Sequence, residues 1–305
     1  METRVGGDPV SGEARIAGAP VSWGVIEIPD WGYQMPAQRV LREAAMLGLA
    51  AIEAGPEGLL PRDPSEVSDS LARYGLGLVG GFVPAVLHEP RSREAELAFV
   101  ERRATFFAAA GADVLIVAAS TGSESYEEVV ELSSSSWQEL FESLSSVEEI
   151  CTRHGLTVAL HSHHGTVIER DDQLWHFLEG CDTGLCLDTG HLMIGGSDPV
   201  EVAGWAADRV KLVHLKDVDR DLAEQIAARE LSFKEAARRG AFRPLGEGDV
   251  DIGEVVGRLE RSGYLGWYVL EQDTVVEAEP QEGEGPVTDV RKSLAYLQRQ
   301  LAELP

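Results

Sequence analysis

Eight short apolar runs, each followed by a longer stretch with apolar residues three and four apart, organise nearly the whole chain. The runs are Arg15–Ser22, Ala50–Ala54, Gly77–Val83, Val114–Ala118, Thr157–His161, Thr183–Leu187, Val210–Leu215 and Trp267–Glu271. Each is rich in Val, Ile, Leu or Ala, as strands buried on both faces of a parallel sheet are. The helical stretches are Ala37–Leu47, Ser65–Tyr74, Arg91–Ala110, Ser136–Arg153, Arg170–Glu179, Pro199–Ala206, Ile252–Ser262 and Val287–Leu301. Several stop at a glycine suited to a left-handed cap, among them Gly48 and Gly155. Strict alternation of this kind predicts an α/β fold, a single (β/α)8 TIM barrel. An open doubly wound sheet is disfavoured, because no GxGxxG or GxxxxGK follows the first run.

One stretch breaks the rhythm. Between the seventh strand and its helix lie residues Asp219–Val250, with a helix expected at Leu222–Arg239. A connection this long in a compact domain predicts a lid or wall beside the site, against the plainer reading of a surface insertion. The 305 residues are expected to form a loose N-terminal tail, 1–14, and one catalytic barrel, 15–305. The tail lacks the charged-then-apolar pattern of a signal peptide.

The formal net charge of −26 repels phosphate backbones, so no nucleic-acid partner is expected. No apolar run reaches the roughly 18 residues of a membrane span, so no membrane partner is expected either. Cys151, Cys181 and Cys186 form no CxxC pair, which suits a reducing cytoplasm. Self-association into a homo-oligomer is compatible with the chain, but no exposed stripe identifies an interface.

Residues at the C-terminal ends of barrel strands face the active site. There the late strands are unusually polar: His161-Ser162-His163-His164, Asp188-Thr189-Gly190-His191, His214-Leu215-Lys216-Asp217 and Glu271-Gln272-Asp273. Carboxylates buried together without a cation must protonate or repel one another. One divalent metal ion resolves that conflict, Mn²⁺ or Co²⁺ first, with Zn²⁺ or Mg²⁺ also compatible. The expected ligands are Asp188, His214 and Glu271. His161 and His163 lie two apart and share a face; His161 is favoured as the fourth ligand. A purely structural role suits His164, Asp217 and Asp273. Trp23, Glu27, Glu53 and Phe82, at the early strand ends, are expected to bind a sugar or cyclitol through ring C–H and hydroxyl contacts. Lys216 is a candidate for stabilising a developing enolate. In Leu245–Asp251, Asp251 is expected to cap the next helix, with Glu247 or Arg243 as possible substrate contacts.

The ordered set HSHHGT, CLDTGH, HLKDV, LGEGDVDI and GYLGWYVLEQD resembles the xylose-isomerase-like barrel superfamily, and within it the inosose (2-keto-myo-inositol) dehydratases, from about Ile16 to Leu301. The resemblance implies metal-ligand positions at Asp188, His214 and Glu271, and a substrate or metal contact at His191. Related ketose epimerases and isomerases carry a metal-binding Glu where this chain has His161, which favours dehydratase chemistry. A metal-assisted lyase acting on a cyclic keto-polyol is therefore expected. His161, His163 or Glu271 would remove the α-proton, and His191 or Lys216 would protonate the departing hydroxyl. A sugar isomerase or epimerase is the alternative enzyme. A non-catalytic sugar-binding protein and a metal-dependent nuclease are the other classes.

Overall fold

A computed structural model describes residues 15–123 and 126–304; the expected tail, 1–14, lies outside them. The strands are β1 (Arg15–Gly18), β2 (Ala51–Ile52), β3 (Gly77–Leu78), β4 (Gly80–Ala85), β5 (Val114–Ala119), β6 (Thr157–His161), β7 (Leu185–Asp188), β8 (Val210–Leu215), β9 (Asp217–Val218), β10 (Phe242–Arg243) and β11 (Trp267–Leu270). Nine of them form one sheet in the order β3-β2-β1-β11-β8-β7-β6-β5-β4, with every pairing parallel. The two edges belong to one segment of chain. Val79, between β3 and β4, donates its N–H to Ile52 of β2 and accepts at its carbonyl from Val114 of β5. The segment expected as the third strand thus bonds to one neighbour at its start and the other at its end, and the barrel closes through it. Gly80 makes this crossing possible, since a Cβ there would run into the Val114 carbonyl oxygen.

Around the barrel run α1 (Ala37–Leu47), α2 (Pro64–Ala72), α3 (Arg93–Ala109), α4 (Ser134–His154), α5 (Asp171–Gly180), α6 (Thr189–Ile194), α7 (Pro199–Trp205), α8 (Arg220–Ala227), α9 (Phe233–Arg238), α10 (Ile252–Arg261) and α11 (Pro286–Glu303). Asp251 caps α10, accepting from Glu254 N–H, as its position before an apolar stretch predicts. Gly48 and Gly155 end α1 and α4 in the left-handed region. Two expectations need correcting. Val21 and Ser22 leave the first strand for a 3-10 turn, Pro20–Trp23. The single helix expected at Leu222–Arg239 is two, α8 and α9, because Arg229 takes φ 57° after α8 and breaks the ladder.

Two apolar layers hold the fold. One lies between strands and helices; the other is a plug inside the barrel, made of Ala17, Ala51, Val79, Val114, Ile116, Ala159, Cys186, Leu212 and Val269 among others. Among the described residues no helix is long and apolar enough to cross a membrane, and all three cysteines are free.

Candidate active site

The barrel plug sets the positions of the polar residues above it. Successive strand residues alternate faces, so a side chain two residues beyond a plug residue points into the mouth of the barrel. Glu53 follows Ala51 in this way, His161 follows Ala159, Asp188 follows Cys186, His214 follows Leu212 and Glu271 follows Val269. The pairing of Asp188 with His214 across β7 and β8 brings those two level.

Four atoms converge there. His214 Nδ1 lies 3.1 Å from His161 Nε2, 3.0 Å from Glu271 Oε2 and 3.5 Å from Asp188 Oδ2, and His161 Nε2 lies 3.5 Å from the same Asp188 oxygen. The outer nitrogens are already committed. His161 Nδ1 meets the Ser162 carbonyl at 2.7 Å, and His214 Nε2 meets Glu53 Oε1 at 2.8 Å. When those acceptors hold the protons on the outer nitrogens, the inner ones present lone pairs toward each other and two carboxylates. Asp188 Oδ1 caps α6 by accepting from His191 N–H, whereas its buried Oδ2 has no hydrogen-bond partner. A set of acceptors with an orphaned carboxylate oxygen in its midst fits a divalent cation.

Lys216 stands beside this set, fully buried, with Nζ 2.7 Å from Glu271 and from Asp273 and 3.5 Å from Asp188. Burial opposes its charge, but Asp188, Asp273 and Glu271 outweigh burial and raise the ammonium well above its ordinary value. Gly190 leaves room for the lysine stem; a Cβ there would come within 2.6 Å of Lys216 Cγ. Asp273 is raised as well. Burial, then the neighbouring Glu271, raises it to about 6 against the pull of Lys216.

A cavity of about 790 Å³ opens onto the cluster, with His161, His163, His214, Glu53, Glu271 and Asp273 in its wall. His163 Nδ1 is held by the His164 carbonyl at 2.6 Å, leaving Nε2 as an acceptor. Burial, the neighbouring His161 ring and the Lys216 ammonium push His163 well below the usual histidine range, so it is neutral at pH 7. The insertion supplies the roof. Phe233 of α9 lies parallel to His191, with ring centres 5.6 Å apart, and 6.2 Å from His163. Tyr126 stacks on Phe233 and reaches Glu27 at 3.3 Å. Two contacts tie the insertion down. Asp217 accepts from the N–H groups of Gly246, Gly248 and Val250, and Arg229 donates to Glu169 at 2.8 Å.

Glu27, Glu53 and Phe82 line the cavity. Three residues expected at the substrate do not. Trp23 is buried behind the wall with its indole N–H on Glu43, because the 3-10 turn after β1 swings it into the core. His191 sits behind His163, where α6 turns it back against Phe233 and Lys216. Lys216 is walled off by the carboxylates that surround it. Asp217 has the structural role expected of it, whereas Asp273 belongs to the cavity wall. Tyr126 and Phe233 escaped sequence reading, since neither sits at a strand end and only the length of the insertion pointed toward Phe233.

An inosose dehydratase of Geobacillus kaustophilus is 33% identical over 297 residues, covering 93% of this chain and 94% of the relative. An L-ribulose 3-epimerase structure superposes with a TM-score of 0.69 at 18% identity, covering 95% of both chains. The IolI protein with a bound zinc atom superposes with a TM-score of 0.69 at 12% identity, covering 95% of this chain and 99% of that one. The model of the xylose isomerase-like TIM barrel matches residues 41–300, and the chain belongs to that family.

Proposed function

We propose that the protein is a metal-dependent dehydratase acting on a cyclic keto-polyol of the inosose type. The observation that carries this reading is His161 at the end of β6, its Nε2 turned toward His214 and Asp188 where epimerases of the superfamily present a glutamate. The full-length similarity to inosose dehydratase supports the same substrate class. His161, Asp188, His214 and Glu271 would hold the cation, and the zinc bound by the structurally similar IolI is consistent with such a centre. When bound, the ion supplies Lewis acidity toward a ketone oxygen and so acidifies the adjacent C–H.

The remaining work falls to side chains. His163, neutral and facing the cavity with a free Nε2, accepts the α-proton. Asp273, raised to about 6 and in the same wall, returns a proton to the β-hydroxyl, which leaves as water. Lys216 keeps its proton and offsets the charge of Asp188 and Glu271. Glu27 and Glu53 accept from ring hydroxyls, Phe82 covers ring C–H groups, and Phe233 with Tyr126 limits water entry. A sugar isomerase or epimerase would use the same α-proton abstraction without losing a hydroxyl.

A product-resolved assay on inosose and a panel of ketoses, with and without Mn²⁺ or Co²⁺, separates the two. Metal-stimulated formation of an ultraviolet-absorbing unsaturated ketone is expected. Aldose–ketose exchange or epimer formation in its place would overturn the dehydratase reading.

A further inference from the structure

Beside the main cavity lies a second pocket of about 590 Å³, walled by the loop after β2 and by α3. The two share the Gly55–Gly58 loop, Phe99 and Arg103, so they form one continuous opening. Their charges differ in sign. The inner cavity is lined by Glu27, Glu53, Glu271 and Asp273, whereas the outer pocket carries Arg62, Arg102 and Arg103 against Glu57 alone. On a chain with 26 basic and 52 acidic residues, three arginines around one hollow run against the overall charge.

Two of the arginines also stack on neighbouring rings. The Arg103 guanidinium lies over Phe107 at 4.7 Å and Phe106 at 5.5 Å, and Arg102 lies over Phe99 at 5.8 Å. Stacking on a ring occupies a face of the guanidinium and leaves its N–H edge free for an oxyanion. Arg103 pairs with Glu57 at 3.1 Å, but Glu57 is 79% exposed and its hold is weak. Among the described residues neither Arg62 nor Arg102 has an acidic partner within ion-pair distance.

We propose that this outer pocket is an anion subsite, which takes a phosphate or carboxylate group at the rim of the same mouth that leads to the polar cluster. The negative inner wall would repel such a group and the arginine edge would receive it, so the mouth is polarised from end to end. The anion is either free or joined to a polyol that reaches the inner cavity.

Calorimetric titration of the full chain with inorganic phosphate, glucose 6-phosphate and glucose, at low ionic strength, tests this. Phosphate-bearing probes should bind the unaltered protein, weaken at least tenfold in R62Q/R102Q and weaken again between 50 and 200 mM NaCl. Tighter binding of glucose 6-phosphate than of phosphate would assign ring and anion to one ligand; equal binding would assign the subsite to a free anion. Both substituted side chains are exposed, and an unchanged melting temperature verifies that the variant is folded. Equal affinity in the two proteins, or no binding of either phosphate probe, would overturn the proposal. The readout is binding rather than turnover, so either result leaves the dehydratase reading to its own assay.

Discussion

At the scale of single residues, the site depends on where protons are held. Glu53 lies against His214 Nε2 and favours the tautomer that carries its proton there, with Nδ1 turned inward. Glu53→Gln can hold the ring in place but cannot fix its tautomer as firmly. Metal affinity is expected to fall about 10–100-fold, read from a metal-binding isotherm. His163 is expected to show a different pattern, because in the proposed reaction it takes the α-proton without belonging to the four converging atoms. His163→Gln should lower turnover by about 10²–10⁴-fold at unchanged metal content. The same residue predicts a pH dependence. Burial, His161 and Lys216 hold its folded pKa well below that of the unfolded chain, near 6.5. The unfolded state therefore binds the extra proton first, and stability present above about pH 6.5 is lost as pH falls toward the depressed value. Urea unfolding of metal-stripped protein between pH 5 and 8 should show this slope, and His163→Gln should flatten it.

At the scale of elements, the barrel was legible because its strands are short, apolar and regularly spaced. The four converging residues were legible because strand ends are where a barrel carries its chemistry. What stayed hidden has a physical reason in each case. Val79 serves two neighbours at once, which no local pattern encodes. Trp23 reads as a cavity aromatic by position, yet a 3-10 turn puts it in the core. Asp273 looks like a loop acid until Lys216, brought close by the fold, gives it a buried partner. The break between α8 and α9 depends on Arg229, whose positive φ costs a non-glycine residue about 1–2 kcal/mol while its guanidinium ties the insertion to Glu169. Arg229→Ala loses that tie and keeps the strain, whereas Arg229→Gly loses the tie and sheds the strain. Thermal unfolding should therefore rank Arg229→Gly above Arg229→Ala by about 1 kcal/mol. Both variants should raise KM, because the helix that carries Phe233 is less firmly seated.

At the scale of the whole molecule, four strands spread over more than a hundred residues, from β6 to β11, each contribute one group to a single point. A cation bound there would link them in the folded state alone. Binding at about 100 times the dissociation constant stabilises a fold by about 2.7 kcal/mol. Chelation is expected to lower the melting temperature by roughly 5 °C, with recovery on adding back Mn²⁺ or Co²⁺. A melting temperature indifferent to chelator would argue against a resident ion.

The roof over the cluster has a separate origin. His161, Asp188, His214 and Glu271 stand on strands anchored by the plug beneath them, whereas Phe233 hangs from one surface excursion, 219–250, fastened by Asp217 and Arg229. The converging groups and the wall that faces them are thus encoded in different stretches of the gene. Changes in the excursion reach His163 and His191 through Phe233, while the four converging side chains keep a scaffold of their own.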